Sequence, residues 1–465
     1  MSGPQRQTDL TGAVREFLTV LPPALAETVW AAAVPHTFDI PLLAAILNLD
    51  GPKVSQLCRK LKEMSFVQVL DPETYTLHEL VRGFLLDQLW QDRRHDYRAW
   101  SRRAAEHLQA RDGEPQRLES IYHWLIADPE RGAGLVWNRG AEWNNTFQYE
   151  WVEALVRLGL EHDGAGRLTG RARGWVYFWQ GQTHLRYSEN RAALASLETA
   201  LTSGEGDRPL EATCIQSLGD VHLRLAEYGP ARERYAEALP IYREIGARLG
   251  EANCIQALGD VLMGEEQYEA AMASYQEAAD RYRALELPSN EAGAVSAIAY
   301  LHQRLKQHDR ALQAYGRAIQ LAPENPMWYR NRAWEYIKVK NATAARADLD
   351  RAAQLQPHHP YLRLRRGDLA FLEEDYGTAI TEYRAFLESL PRHNGAYYGL
   401  GLAYLALEDA TRSRQAYTQA LKLTTDHHDV EEALRDLQDW LDRCPGSVGA
   451  DETLALLRHA LEELR

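Results

Sequence analysis

Small and bulky apolar residues recur at fixed helical spacing from residue 181 onwards. A small residue opens each unit, a second small residue follows twelve positions later, and a bulky residue comes four positions after that. A third small residue lies three positions further on in every unit but one, where Phe386 stands. Residues three or four positions apart share one face of a helix. We therefore interpret each unit as a helix–turn–helix repeat. The first column is Gly181, Gly219, Gly259, Ala299, Ala333, Gly367 and Gly401, at steps of 38, 40, 40, 34, 34 and 34 residues.

Each unit is expected to be an antiparallel helix pair that stacks on the next pair. Small side chains let two helices pack at a short interaxial distance. The bulky residue, which is tyrosine in most units, is expected to fill the space between one pair and the next. Proline cannot continue a helix, and it closes the 34-residue units at Pro323, Pro357 and Pro391.

Two nearly identical segments, "EATCIQSLGDV" at 211–221 and "EANCIQALGDV" at 251–261, fall in register with this pattern. They are therefore interpreted as copies of a stacking unit and not as a duplicated chemical site. Cys214 and Cys254 occupy a position that packs against the preceding helix, so we expect both to be small buried hydrophobes and not metal ligands or redox groups.

The pattern resembles the tetratricopeptide repeat, whose period is 34 residues. The 40-residue copies are similar to the longer-helix variant found in kinesin light chains and in bacterial signalling proteins. The resemblance implies an all-α fold, a right-handed α-solenoid of seven repeats over residues 170–430. Residues 431–465 keep the helical period but lose the signature, as terminal capping helices do.

Residues 22–107 follow a different pattern. A helix starts near Pro23, and a second has Asp39 as its predicted N-cap with Pro41 in the first turn. A third apolar stripe is followed by alternating residues that turn at "DPE", which predicts a β-hairpin. Three helices and a hairpin indicate a winged-helix domain with a following helix. Residues 1–21 are an N-terminal segment and residues 108–169 a helical junction.

The run "FDIPLLAAIL … VSQLCRKLKEMSFVQVLDPETYTLHELVRGFLLDQL" resembles the winged-helix domain of STAND-class signalling ATPases. In that family a histidine after the wing contacts the phosphate of a bound nucleotide, and the matching residue here is His78. A phosphate-binding loop requires GxxxxGK[ST], but no lysine in this chain follows a glycine. We therefore expect the regulatory and sensing half of such a protein without its ATPase. We expect His78 to be a packed or capping residue, unless a separate chain supplies the nucleotide pocket.

Composition and charge limit the class of partner. The net charge of −14 repels nucleic acid and anionic membranes at long range. Residues 1–100 carry ten Lys or Arg against twelve Asp or Glu, so DNA binding by the winged helix is the weaker interpretation. The four cysteines form no CxxC motif, and no apolar run approaches a membrane span, so a cytoplasmic protein is expected.

Catalytic and metal-binding patterns are weak. The sequence contains no GxSxG, HExxH, EF-hand loop or GxGxxG motif, so we predict neither an enzyme nor a cofactor. "TDHHDVEE" at 425–432 has ligand-type residues in series, but it lies where a helix begins and is interpreted as a polar loop with an N-cap.

Nine of the twelve tryptophans precede residue 180. They indicate a packed junction between the N-terminal module and the repeats, and the alternative is an aromatic binding surface.

In each pair, the residues three before and one after the small residue are expected to line a concave partner-binding face. The middle repeats offer amides and aspartates there, and the later repeats offer aromatic residues. These groups favour a peptide or protein segment with basic residues beside apolar anchors. The alternative is that some of them pack on a terminal segment of the same chain. The predicted partner-binding residues are Gln216, Asp220, Gln256, Asp260, Tyr300, Arg330, Trp334, Asp368 and Tyr398.

The sequence thus predicts a non-catalytic interaction scaffold, or a regulatory and sensor subunit in bacterial signalling. Two alternatives stay open: a winged-helix transcriptional regulator with a repeat sensor, and a partner in trans of a separate STAND-type nucleotide-binding protein.

Overall fold

The computed structural model describes residues 3–464, with side chains described from residue 12 onwards. Residues 1 and 2 of the predicted N-terminal segment lie outside this range. The chain divides after Cys254 into two compact units. Within residues 3–464, none of the helices combines the length and the apolar character that a membrane span requires.

The N-terminal module of the first unit has its helices and hairpin where the sequence predicts them. The N-cap prediction for Asp39 is confirmed, since its carboxylate accepts a hydrogen bond of 2.7 Å from the Leu42 amide. The elements are α1 Gly3–Val20, α2 Pro23–Ala32, α3 Ile40–Leu47, α4 Gly51–Leu61, β1 Val67–Val69, β2 Tyr75–Leu77, α5 Glu79–Asp92 and α6 Arg94–Gln109.

Strands β1 and β2 form an antiparallel hairpin in which Val67 pairs with Leu77 and Val69 with Tyr75. Tyr75 and Leu77 are buried against the helices, whereas the outer strand β1 is largely exposed. Tyr75 also forms an isolated β-bridge with Phe38, just before α3, so the hairpin is fixed to the helical part of the module.

Three junction helices follow: α7 Glu114–Ala127, α8 Pro129–Asn145 and α9 Tyr149–Gly164. The packing interpretation of the tryptophans is confirmed, because all nine that precede residue 180 are buried or half-buried. Trp137 is central, with its ring centroid 4.4 Å from that of Trp175 and 6.0 Å from that of Trp179.

A cluster of charged side chains joins the N-terminal module to the junction. His36 contacts Glu119 of α7 through Nδ1 at 2.9 Å and Glu161 of α9 through Nε2 at 2.8 Å. Arg82 of α5 donates to Glu161 at 2.9 Å and to the Tyr122 hydroxyl at 2.9 Å. Burial alone lowers the pKa of His36, but the hydrogen bonds to the two carboxylates outweigh it and raise that pKa to about 9. His36 is therefore the charged centre of this contact at neutral pH.

Seven helix pairs follow the junction. The second and third pairs consist of helices of 17 residues, and the fifth to seventh pairs of helices of 13 and 14 residues. The first and fourth pairs combine one helix of 17 residues with one of 14. The pairs are α10 Gly170–Arg186 with α11 Asn190–Ser203, α12 Arg208–Arg224 with α13 Tyr228–Glu244, α14 Arg248–Gly264 with α15 Tyr268–Ala284, α16 Pro288–Arg304 with α17 His308–Leu321, α18 Pro326–Lys338 with α19 Ala342–Leu355, α20 Pro360–Leu372 with α21 Tyr376–Ser389, and α22 Asn394–Ala406 with α23 Ala410–Leu423. The last two helices are α24 His427–Arg443 and α25 Ala450–Leu464.

The glycines of the first column lie where the two helices of a pair make their closest contact. A Cβ added at Gly367 would lie 2.8 Å from the Tyr383 ring of the same pair, and one at Gly401 would lie 2.6 Å from Tyr417. The bulky residue thus packs first against the small residue of its own pair, and not only between pairs as the sequence suggested. Tyr383 does both, since a Cβ at Gly399 of the next pair would lie 2.7 Å from it.

The turn inside each pair repeats one backbone conformation. In all seven pairs the residue seven positions after the small residue has a positive φ, between 57° and 65°, although none of these residues is glycine. Left-handed backbone costs about 1–2 kcal/mol for a residue with a Cβ, so its presence at every turn shows that the pairs are built alike. The residues are Ser188, Ala226, Glu266, Lys306, Lys340, Glu374 and Glu408.

We predict that Gly367→Ala destabilises the protein by about 1–3 kcal/mol, because the added methyl group overlaps the buried Tyr383 ring. Gly293→Ala is the matched control, since a Cβ there meets nothing within 4 Å and should stabilise α16 by about 0.5–1 kcal/mol. Urea unfolding followed by circular dichroism measures both. Equal effects of the two substitutions would contradict the close helix contact.

We predict that the free energy of unfolding falls by roughly 1–3 kcal/mol between pH 6.5 and 9, because the pKa of His36 is higher in the folded than in the unfolded protein. Its stabilising effect is complete below the unfolded pKa near 6.5 and is lost as the pH rises through about 9. His123 and His162, whose pKa values burial lowers, affect stability below pH 6.5 instead.

The measurement is urea unfolding at pH 6.5, 7.5 and 9, followed by tryptophan fluorescence, which reports mainly on the first unit. His36→Gln should remove the decline, and the exposed His95→Gln should keep it. A decline of the same size in all three proteins would rule His36 out as its source.

Candidate functional site

We use the term first-helix face for the seven predicted partner-binding residues that lie in the second unit, from Gln256 to Tyr398; the other two, Gln216 and Asp220, lie in the first unit and are described by themselves. All nine lie on the first helix of a pair, and they belong to two compact units. Gln216, Asp220, Gln256, Asp260, Trp334 and Asp368 are half-buried, Arg330 and Tyr398 are buried, and Tyr300 is 40% exposed. Whether they bind a partner stays a prediction.

In the first unit, both predicted residues make hydrogen bonds inside the stack. The Asp220 carboxylate accepts a hydrogen bond of 2.8 Å from the Tyr235 hydroxyl of the same pair. The Gln216 side chain accepts one of 2.8 Å from Tyr242. Both polar groups therefore help to hold α12 and α13 together, whatever they contact from outside.

The second unit repeats the aspartate–tyrosine bond. Asp260 accepts from the Tyr275 hydroxyl at 2.7 Å, and Asp368 accepts from Tyr383 at 2.8 Å. Burial raises the pKa of Asp260, although the Tyr275 hydrogen bond opposes that shift. Wherever the residue after the small position is aspartate, the tyrosine fifteen positions later donates to it, which is a rule of the pair itself.

Cations surround the one tryptophan of the first-helix face. The Lys338 ammonium lies 4.4 Å from the Trp334 ring centroid, and the Arg365 guanidinium lies 4.2 Å from it. Burial lowers the pKa of Arg330 on the same helix, and the nearby Arg365 lowers it further. Arg365 is also paired with Asp368 at 2.9 Å, so the cations that remain for carboxylates here are chiefly Lys338 and Arg330 beside the Trp334 ring.

Helix α24 lies on this basic part. The Lys338 ammonium contacts Glu432 at 2.6 Å and Asp436 at 3.5 Å. Burial lowers the pKa of Lys338, but the two carboxylates outweigh it and raise that pKa. At the far end of the helix, the Trp440 ring lies 5.9 Å from that of Phe371 on α20.

Tyr398 belongs to the packing of the same terminal helices. Its hydroxyl lies 2.9 Å from the Thr424 hydroxyl, just before α24, and its ring shares a buried cluster with Val430 and Leu437. For Tyr398 the structure has the alternative arrangement, in which a residue of the face packs on a terminal segment of the same chain. No sequence motif predicts this contact. The apolar stripe of Val430, Ala433, Leu437 and Trp440 indicates only that α24 is amphipathic.

Residues outside the face behave mostly as expected. Cys214 and Cys254 are buried, and burial raises the pKa of both thiols, that of Cys254 to about 12. Asp426 caps α24 by accepting from the His428 amide at 2.9 Å, which confirms the N-cap interpretation. His78 stands at the N-cap position of α5, one of the two places expected for it, but it is exposed and its side chain makes no capping hydrogen bond.

Two protein families match parts of the chain. The tetratricopeptide repeat family matches residues 330–385 and 364–428. Residues 226–336 match the family described as soluble NSF attachment protein, SNAP.

Among curated proteins, tetratricopeptide repeat protein 17 of Rattus norvegicus and of Homo sapiens are each 35% identical over 118 residues, or 24% of this chain. The chain spans about a tenth of the length of these relatives, since the match covers 10% of each.

Solved structures resemble a larger part of the chain. One is a STAND protein with a tetratricopeptide repeat sensor from Pyrococcus horikoshii, at 13% identity and a TM-score of 0.56, covering 96% of this chain and 67% of that one. Apo RapI has 13% identity and a TM-score of 0.50, covering 73% and 94%. Aspartyl phosphate phosphatase F from Bacillus subtilis has 15% identity and a TM-score of 0.50, covering 73% and 93%. At these identities the likeness shows the fold alone, an all-α solenoid of helix pairs.

We predict that Tyr275→Phe destabilises the second unit by roughly 1–3 kcal/mol, because the half-buried Asp260 loses its hydrogen-bond donor. In the seventh pair Leu402 stands at the aspartate position, so Tyr417→Phe removes no such bond and is the matched control. Thermal unfolding of both variants by calorimetry makes the comparison. A loss at Tyr417 as large as that at Tyr275 would contradict the role of the aspartate.

Proposed function

We propose that this protein is a non-catalytic interaction subunit that binds a protein or peptide partner on its first-helix face. The observation that carries the proposal is the exposed ring of Tyr300 in the pair directly before the Trp334 cluster. Large aromatic side chains exposed beside cations are common anchors at protein interfaces. The match of residues 330–428 to the tetratricopeptide repeat family supports the same role.

We propose further that the chain is the regulatory half of a signalling protein of the STAND type, with a winged helix before the repeats. Helices α2 to α4, the hairpin and the Phe38–Tyr75 bridge support the winged helix. The similarity of fold to the STAND protein, which extends over 96% of this chain, supports the order of modules. The domain boundaries at 107, 169 and 430, the bacterial signalling role and a nucleotide-dependent partner acting on His78 belong to this proposal.

Binding of DNA by the N-terminal module has less support. The third helix of a winged helix enters the major groove through its N-terminal residues. The Lys53 ammonium of α4 is paired with Asp50 at 3.0 Å, and the ammonium of Lys62, directly after α4, lies 4.2 Å from the Tyr75 ring centroid. Two of the four cations of this segment are thus engaged inside the module, and phosphate contacts supply most non-specific affinity for DNA.

The proposal is tested by placing a photo-cross-linking phenylalanine derivative at position 300 of the full chain, in a lysate of the source organism. We expect one protein to be captured in a covalent adduct from this position. The matched control is the same derivative at Gln313, an exposed residue on the second helix of the same pair, which should capture nothing.

Adding Trp334→Ala to the position-300 protein should reduce the adduct severalfold, because loss of an aromatic anchor costs about 2 kcal/mol or more of binding. Adducts of equal yield from both positions, or an adduct unaffected by Trp334→Ala, would refute binding on the first-helix face.

A further inference from the structure

We propose that the basic part of the first-helix face binds an acidic amphipathic helix of the partner, and that α24 occupies this site until the partner displaces it. The inference rests on the proposed function and adds the chemistry of the partner and its competition with a segment of the chain. The sequence predicted a basic partner segment instead, on the ground of the aspartates in the middle repeats. In the structure those aspartates already accept hydrogen bonds from tyrosines of this chain.

The charges of α24 complement the surface that it covers. The helix carries six acidic residues against two arginines. Two of the acids, Glu432 and Asp436, are four positions apart, so both project from one side of the helix. Lys338 lies between them and contacts both carboxylates, at 2.6 and 3.5 Å. Arg365, above the neighbouring Trp334 ring, adds a further cation on the next pair, although its guanidinium is also paired with Asp368 at 2.9 Å.

The apolar side of α24 packs on the helix pairs beneath it. Val430, Ala433, Leu437 and Trp440 are buried in one stripe. The Trp440 ring lies 5.9 Å from Phe371 and 5.6 Å from Tyr376, between the sixth pair and the helix. A partner helix with an aromatic residue one to two turns after its carboxylates would reproduce these contacts.

The contacts of α24 reach helix pairs far apart in sequence. Asp429 accepts a hydrogen bond of 2.7 Å from Asn394 in the seventh pair. The His428 imidazole lies 3.5 Å from Glu266, in the turn of the third pair. A helix that only closed the last pair would not need contacts with the third and fifth pairs, whereas a helix bound along the face makes them.

The polar contacts of α24 are weak enough to be exchanged. The side chains of Glu432 and Asp436 are 45% and 49% exposed and that of Lys338 is 23% exposed. In such partly buried ion pairs the cost of removing the charges from water offsets much of their attraction. Four apolar residues therefore provide most of the attachment. An external helix with the same charges and larger apolar anchors would compete effectively.

The test uses the full chain and a fluorescein-labelled amidated peptide with the sequence of residues 426–443. The release variant is Glu432→Lys with Asp436→Lys, which places positive charges beside Lys338 and should expel α24 without altering the buried stripe. The matched control is Asp439→Lys with Asp442→Lys, which makes the same charge change on exposed positions of the same helix. Circular dichroism confirms that both are folded.

We expect the peptide to bind the release variant at least about tenfold more tightly than it binds the wild type or the control, since the site is free in a larger fraction of molecules. Adding Lys338→Glu to the release variant should remove this gain. A peptide with lysines at the positions of Glu432 and Asp436 should then bind in place of the original peptide.

Equal binding of the peptide to both double variants, or no binding to either, would overturn the inference. So would a doubled mass of the release variant in light scattering, because a second copy would then be the occupant. An adduct from position 300 without peptide binding would keep the proposed function and remove this inference. Peptide binding without an adduct from position 300 would keep this inference about α24 and remove the proposed function.

Discussion

The close contact between the two helices of each pair is the constraint on which the rest of the structure depends. At Gly219, Gly259, Gly367 and Gly401 a tyrosine ring of the second helix lies where a Cβ would otherwise be. This contact sets the distance between the helices, and it brings the tyrosine hydroxyl within reach of an aspartate one position after the glycine. Polar groups that look available for binding in the sequence are consequently used to fix the pair.

The same contact determines which residues remain available to a partner. Once the aspartates are bonded to tyrosines, the groups that distinguish the face are Tyr300, Trp334 and the cations around that ring. The chain as a whole is acidic, with a net charge of −14, so a local basic surface stands out against its surroundings. Helix α24 lies on that surface, where its own negative charge is compensated.

Residues with a local or periodic signal were predicted correctly from the sequence. The Asp39 N-cap, the hairpin and the columns of small residues all follow from spacing within a few turns. The aspartate–tyrosine bond has no local sequence signal, because it joins two residues fifteen positions apart on different helices of a pair. The charged cluster of His36, Glu119 and Glu161 connects residues up to 125 positions apart, and no local pattern marks them. Likewise, the amphipathic stripe of α24 indicates that it packs, but only the tertiary structure shows on what.

Replacing the left-handed residue in each turn is a route to more stable variants. Seven positions hold an unfavourable backbone conformation with a Ser, Ala, Lys or Glu side chain, and none has the glycine or asparagine that relieves it. Because helix pairs in a stack contribute to stability largely through their own folding and their contacts with neighbours, small improvements at separate turns should accumulate. Glycine or asparagine at these turns should therefore raise the thermal stability of the chain in small steps, one for each pair.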